Sequence, residues 1–175
     1  MREETKEEKK IQDLLIERIN EKKVIIKNTI LIRHHRKNLG IGCGVVSAID
    51  WFFERVNFGV VLEDDLEISD SLVNYVEIVK KTLLEKNEIW MASGTRVSPV
   101  QDKKTITASN YPQIWGWATS KEKWKEIRNS MLRDKRYQIK YFFSYKSNYF
   151  LVGARRVFAG KIDTWDIPIA YEMYV

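Results

Sequence analysis

The sequence predicts an α/β protein, with helices packed on both faces of a mostly parallel central sheet, and three observations lead to that expectation. Short apolar runs, Val60-Val61-Leu62 and Ile89 to Ala92, have the length and composition of buried strands. Segments with helical period stand beside them: Val46, Ile49, Phe52 and Phe53 in one, Leu72, Tyr75, Val76, Val79 and Leu83 in the other. The two kinds alternate, as in βα units whose crossover helices return the chain to start a strand in the same direction.

Taken in order, the chain opens with an amphipathic helix from about Thr5 to Glu21, on which Ile11, Leu14, Leu15 and Ile19 share a face. A β-rich stretch within Val24 to Arg33 follows, then a polar and glycine-rich loop from His34 to Gly44. The next helix runs to about Val56 and leads into the strand that ends at Leu62. Ser69 is a suitable N-cap for the helix carrying Leu72 to Leu83, and Ser93-Gly94 closes the strand after it. Beyond Arg96 the alternation fails. Val97 to Asn110 reads as a loop or hairpin, Ser120 caps a short helix, and the tail is rich in aromatic residues.

At 175 residues and 44% hydrophobic content the chain suits a single domain, residues 1–175, with a substantial core. The net charge of +6 is spread over short clusters such as Lys9-Lys10, Arg33 to Lys37 and Arg155-Arg156. That distribution reads as a solvated surface, or as attraction to anionic substrates or an anionic membrane surface. Basic residues do not stripe one helix, which argues against nucleic acid as a partner. The one cysteine, Cys43, excludes an internal disulfide and fits a reducing compartment. No apolar stretch approaches the length of a membrane span, and the N-terminus is charged, so a cytoplasmic or membrane-peripheral location is expected.

Chemistry concentrates in three places. The first is the acidic triplet Glu63-Asp64-Asp65, directly after the apolar strand. Ligands of open α/β sheets gather beyond the carboxyl ends of strands, and three crowded carboxylates call for a cation such as Mg²⁺ or Mn²⁺. The second is Trp115-Gly116-Trp117, with Trp124 seven residues beyond Trp117. Such indoles stack on sugars or bases, or simply fill a core. The third is Asp163-Thr164-Trp165-Asp166, where an acid beside a large aromatic can serve as a general base, or where Asp163 or Thr164 caps the final segment. Gly40, Gly42 and Gly44 imitate a dinucleotide fingerprint, but position 45 is Val and a polar run separates the glycines from the strand. They read instead as a tight turn with close helix packing. His34-His35 reads as a polar loop and Cys43 as packing.

In sequence order, NLG (Asn38 to Gly40), AIDWFFE (Ala48 to Glu54), GVVLEDD (Gly59 to Asp65), YPQIWGWATSKEKW (Tyr111 to Trp124) and TWD (Thr164 to Asp166) form a connected pattern. It resembles the GT-A-fold glycosyltransferases, nearest to the N-acetylglucosaminyltransferase I branch and its bacterial nucleotide-diphospho-sugar transferase relatives. The resemblance covers about Glu7 to Asp166. It implies a GT-A-like, Rossmann-like α/β/α sandwich, with a nucleotide and metal half over about residues 1–96 and an acceptor-side half over about 97–175. It further implies that Asp65 binds Mn²⁺ or Mg²⁺, and that Glu63 and Asp64 contact the donor ribose or metal-bound water. Gly116 and Trp117 would line the donor-sugar and acceptor pocket. Asp166 would be the base toward the acceptor hydroxyl, with Trp165 shaping its pocket. The partners implied are a nucleotide-sugar donor and a glycan, lipid or protein acceptor. Against that pattern the chain begins at what should be the helix after the first strand, and ends nine residues past Asp166. The expectation is therefore a core cropped at both ends, whose missing first strand leaves a sheet edge suited to a homodimer. A catalytically silent fragment that binds sugar or a partner chain is the alternative.

Overall fold

The computed structural model describes residues 5–23, 29–35, 37–95, 106–109, 112–132 and 149–174. Within them lie six helices and three short strands. Helix α1 spans Lys6–Lys23 and α2 Ile41–Phe53. Strand β1, Phe58–Val61, precedes α3, Leu72–Glu85, and β2, Ala92–Ser93. Strand β3, Trp117–Ser120, runs straight into α4, Lys121–Leu132. Helices α5, Tyr149–Phe158, and α6, Asp166–Tyr174, complete the described chain. None of the described helices is long and apolar enough to cross a membrane.

The sheet corrects the expected fold class. Its order is β1-β3-β2, and β3 is antiparallel to both neighbours, so the GT-A-like sandwich with a mostly parallel central sheet is not what forms. The physical reason lies in what alternation can report. A strand–helix–strand sequence does make β1 and β2 point the same way, since both oppose β3. It says nothing about what lies between them, and β3 arrives from much later in the chain to occupy that position. Strand β3 begins at the last residue of the WGW pattern, which resembles a binding motif more than a strand start.

Other boundaries shift as well. Of the β-rich stretch, residues 24–28 lie outside the described residues, and 29–33 form no strand. The expected strand at Ile89 to Ala92 is reduced to Ala92–Ser93. Helix α3 begins at Leu72 with Ser71 as N-cap, while the Ser69 hydroxyl pairs with that of Ser71 at 2.8 Å and caps nothing. Most of the expected loop or hairpin, residues 97–105 and 110, lies outside the described residues.

Every residue of β3 is buried, and its two faces build two cores. On one face Trp117 joins Ile49 and Phe53 of α2, Trp124 and Ile127 of α4, and Trp165 and Ile169 around α6. On the other, Ala118 meets Val79 and Leu83 of α3, with Phe58 and Val60 of β1 packed alongside. The period-2 alternation of the strand thus assigns α3 to one side and α2, α4 and α6 to the other.

Polar ties lock the layers together. Asp50 of α2 accepts from Trp124 Nε1 at 2.8 Å and pairs with Arg128 Nε at 3.0 Å, joining α2 to α4. Ser120 does cap α4, accepting the Lys123 amide at 3.3 Å. The Lys123 side chain is buried and its Nζ donates to the carbonyls of Leu83, Lys86 and Ile89. An ammonium with three acceptors at the C-terminal end of α3 satisfies carbonyls that the helix leaves unpaired and complements its dipole. Burial pulls the Lys123 pKa below its ordinary value while Glu88 and Glu126 act to raise it. The three carbonyls favour the charged form.

Replacing this ammonium by an isosteric apolar chain, Lys123→Met, is expected to destabilise the fold by about 2 kcal/mol, the scale of charged hydrogen bonds that leave buried acceptors unmet. Urea unfolding followed by far-UV circular dichroism measures it. A change below about 0.5 kcal/mol would show that water takes over the three carbonyls.

Candidate functional site

Strand direction decides where the chemistry collects. Trp117, at the start of β3, pairs with Val61 at the end of β1 and with Ser93 at the end of β2. The segments after β1 and β2 and the segment before β3 therefore emerge at one edge of the sheet. Those segments contain Glu63-Asp64-Asp65, Gly94-Thr95 and Trp115-Gly116. Backbone bonds bind two of them together: Gly94 N donates to Gly116 O at 2.8 Å, and Thr95 Oγ1 to Trp115 O at 2.5 Å.

The acidic loop is seated on Gly116. Gly116 has φ +69°, and a Cβ there would lie 3.3 Å from Leu66 Cδ1 and 3.5 Å from Leu62 Cδ2. Glycine suits that backbone conformation, and the leucines flanking the acids pack against it. Leu66 N closes a turn onto Glu63 O at 3.4 Å, so the three carboxylates sit on a tight bend.

The fourth acid reaches this edge through aromatic packing. Trp165 is buried and stacks on Trp117, with ring centroids 6.4 Å apart at 21°. Asp166 follows it as the first residue of α6 and accepts a hydrogen bond from the Thr164 hydroxyl. Its charge is felt at Glu63, whose pKa is raised above 4.5 first by desolvation and then by Asp65, Asp166 and Asp64. The fold thus brings Glu63, Asp64, Asp65 and Asp166 into one electrostatic cluster from positions about a hundred residues apart.

The indoles divide differently from the motif. Trp117 is 1% exposed and Trp124 is 3%, both within the core, their centroids 6.2 Å apart. Trp115, at 55%, is the indole that faces solvent beside the acids. Trp117 Nε1 is buried without a partner among the described residues, an unusual state for an indole N–H.

Asp163 has a role that sequence position conceals. Its carboxylate accepts the backbone amides of Ile41 at 2.9 Å and Gly42 at 2.8 Å, so it caps α2 rather than α6. A Cβ on Gly40 would come 2.3 Å from Asp163 Oδ2, and one on Gly42 2.6 Å from Oδ1. The glycine-rich turn is shaped for this internal carboxylate, which occupies the place a pyrophosphate would take in a dinucleotide site. Asp50 and Lys123, which organise the surroundings, were not among the residues singled out by sequence. The partners of Asp50 lie 74 and 78 positions away and those of Lys123 34 to 40, so no local pattern marks them.

Among the described residues no three His, Cys, Asp or Glu side chains gather into a ready-made metal cage. The acids after β1 fit a hard cation held through one or two carboxylates, with ligand oxygens completing its shell. The Glu63 pKa is raised first by desolvation and then by the neighbouring carboxylates, and a cation there would offset both. Compared with known protein families, characterised proteins and solved structures, the chain matches none.

Two outcomes follow from these contacts. Glu63 binds its proton more tightly in the folded than in the unfolded state, so its stabilising effect is complete below pH 4.5 and is lost as pH rises through the folded pKa. Glu63→Gln is therefore expected to raise the melting temperature at pH 7 and to lose that advantage below about pH 4.5. Parallel melting curves for the two proteins across the pH range would contradict it. Asp163→Ala, which removes the cap of α2, is expected to lower stability by about 1–2 kcal/mol in chemical denaturation. An unchanged midpoint would mean that water caps α2 equally well.

Proposed function

We propose that the chain is a metal-dependent glycosyltransferase that moves a sugar from a nucleotide-diphosphate donor to an acceptor hydroxyl with inversion. The reading rests on the resemblance of its motifs, and one observation carries it: Asp166 and the acids after β1 share a single electrostatic cluster. Inverting transfer needs two centres facing each other, a base at the acceptor and positive charge at the leaving diphosphate.

In this reading Asp65 holds Mn²⁺ or Mg²⁺, which supplies the positive charge that compensates the departing diphosphate. Glu63 and Asp64 orient the donor ribose or the metal's water. Asp166 receives the proton of the acceptor hydroxyl. Its position at the first turn of α6 and its bond from Thr164 orient the carboxylate, while Trp165 anchors that turn on Trp117. Gly116 brings the acid loop down onto the sheet, and Trp117 supports the pocket from beneath. The exposed Trp115 adds a face on which a sugar can stack.

A catalytically silent binding module is the second reading. Among the described residues the outer edge of β1 has no strand partner, which suits pairing with another copy.

Calorimetric titration with UDP and with GDP, with and without Mn²⁺, on wild type and Asp65→Ala, separates the two. Metal-dependent nucleotide binding, weakened at least about tenfold in Asp65→Ala, is the expected result. Absence of binding under every condition, with a dimer by light scattering, would overturn the enzymatic reading in favour of the module.

A further inference from the structure

A second concave region lies on the far side of α2's N-terminal turn, where α1 crosses the segment leading into α2. It is a cleft of about 410 Å³ lined by residues of α1, of the segment 32–39 and by Gly44. Its two walls differ in chemistry. Leu15, Ile16 and Ile19 of α1, with Ile32 and Leu39, form an aliphatic wall. Leu15 and Ile32 stay 55% and 39% exposed, so that wall is open to water. The opposing wall carries Arg33, His34, His35 and Lys37, with Gln12 and Asn38 beside them, and none of these lining residues is acidic.

Some of these groups fix the cleft and others are unspent. Arg33 Nη1 donates to Ser47 O of α2, and His34 Nε2 pairs with Gln12 Oε1 of α1, so the basic segment is latched on both sides. Asn38 Oδ1 accepts Gly40 N at 2.8 Å. Lys37 has no partner among the described residues and is exposed. His35 Nε2 is shut off from water and likewise has no partner. An imidazole nitrogen in that state gains a hydrogen bond by turning toward an acceptor placed in the cleft.

We propose that this cleft binds an alkyl phosphate, its phosphate held by His35 and Lys37 and its chain laid along Leu15, Ile16 and Ile19. Charge complementarity sets the head group, since the charged lining residues, Arg33 and Lys37, are both basic and phosphate accepts from imidazole N–H and ammonium together. The exposed aliphatic wall sets the body, because covering it removes apolar surface from water. The volume falls within the range of small-molecule sites, about 300–1,000 Å³, and suits a head group with a short chain. The site is separate from the acid cluster and does not depend on the proposed transfer reaction.

Octyl phosphate is the probe, with n-octanol and inorganic phosphate as controls, followed by calorimetry and by the histidine side-chain nitrogen resonances. Octyl phosphate is expected to bind, to shift the His35 nitrogens, and to bind more tightly than either control. Affinity should fall at least tenfold in His35→Ala and in the surface variant Lys37→Glu, which leaves the fold undisturbed, and should be unchanged in Asp65→Ala. Vesicles of phosphatidylcholine with and without phosphatidic acid tell the source of the ligand: capture by the acidic vesicles assigns a lipid, and binding of octyl phosphate alone assigns a soluble ester. Equal binding of octanol, undiminished binding in Lys37→Glu, or an unmoved His35 signal would overturn the proposal.

Discussion

The placement of Trp117 is the constraint on which the rest of the molecule depends. It lies at the start of the central strand, pairs with the last residue of each neighbouring strand, and is enclosed by Trp124 on one side and Trp165 on the other. Helices α2, α4 and α6 all reach the same face of the sheet because their apolar residues converge on this one indole. The aromatic stack also transmits position. Trp165 is held by Trp117, and the next residue is Asp166, so a core contact fixes where that carboxylate stands.

Asp163 provides the second fixed point of that segment. The chain from 163 to 166 is held at one end by amides at the N-terminus of α2 and at the other by the stack on Trp117. Two independent anchors within four residues leave the Asp166 backbone little freedom, as the proposed base would require. The same capping contact explains the glycines of the turn before α2. A carboxylate within the chain takes the helix N-terminus, and any side chain on Gly40 or Gly42 would displace it.

Legibility of the fold in the sequence follows the range of the interactions involved. Helices α1, α2 and α3 were foreseen from apolar periodicity, because that signal is local, and β1 from its β-branched run ending at the acids. The cap of α4 by Ser120 was legible for the same reason. Adjacency in the sheet was not, since nothing in the composition of β1 and β2 tells that β3 inserts between them in the opposite sense. Buried polar ties were equally hidden. Lys123 reads as one more surface lysine in a charged helix, and only the fold places three carbonyls around it. Of the candidate site, the acids and aromatics could be singled out by type, but the seating of Gly116 on Leu62 and Leu66 and the capping by Asp163 depend on tertiary contacts.

The carboxylates themselves show which of them the fold needs. Asp50 is bound to an indole N–H and a guanidinium, and Asp163 to two amides, so each contributes to the architecture it stands in. Glu63, Asp64 and Asp65 have no hydrogen-bond or ion-pair partner among the described residues, and Asp166 adds its charge to theirs. Desolvation and then like charges raise the Glu63 pKa, so at neutral pH ionised Glu63 opposes folding. The Glu63 carboxylate thus stands where its ionisation costs stability, on a bend packed against Gly116 and near the stacked Trp117 and Trp165. Positive charge arriving at that edge of the sheet would offset this cost.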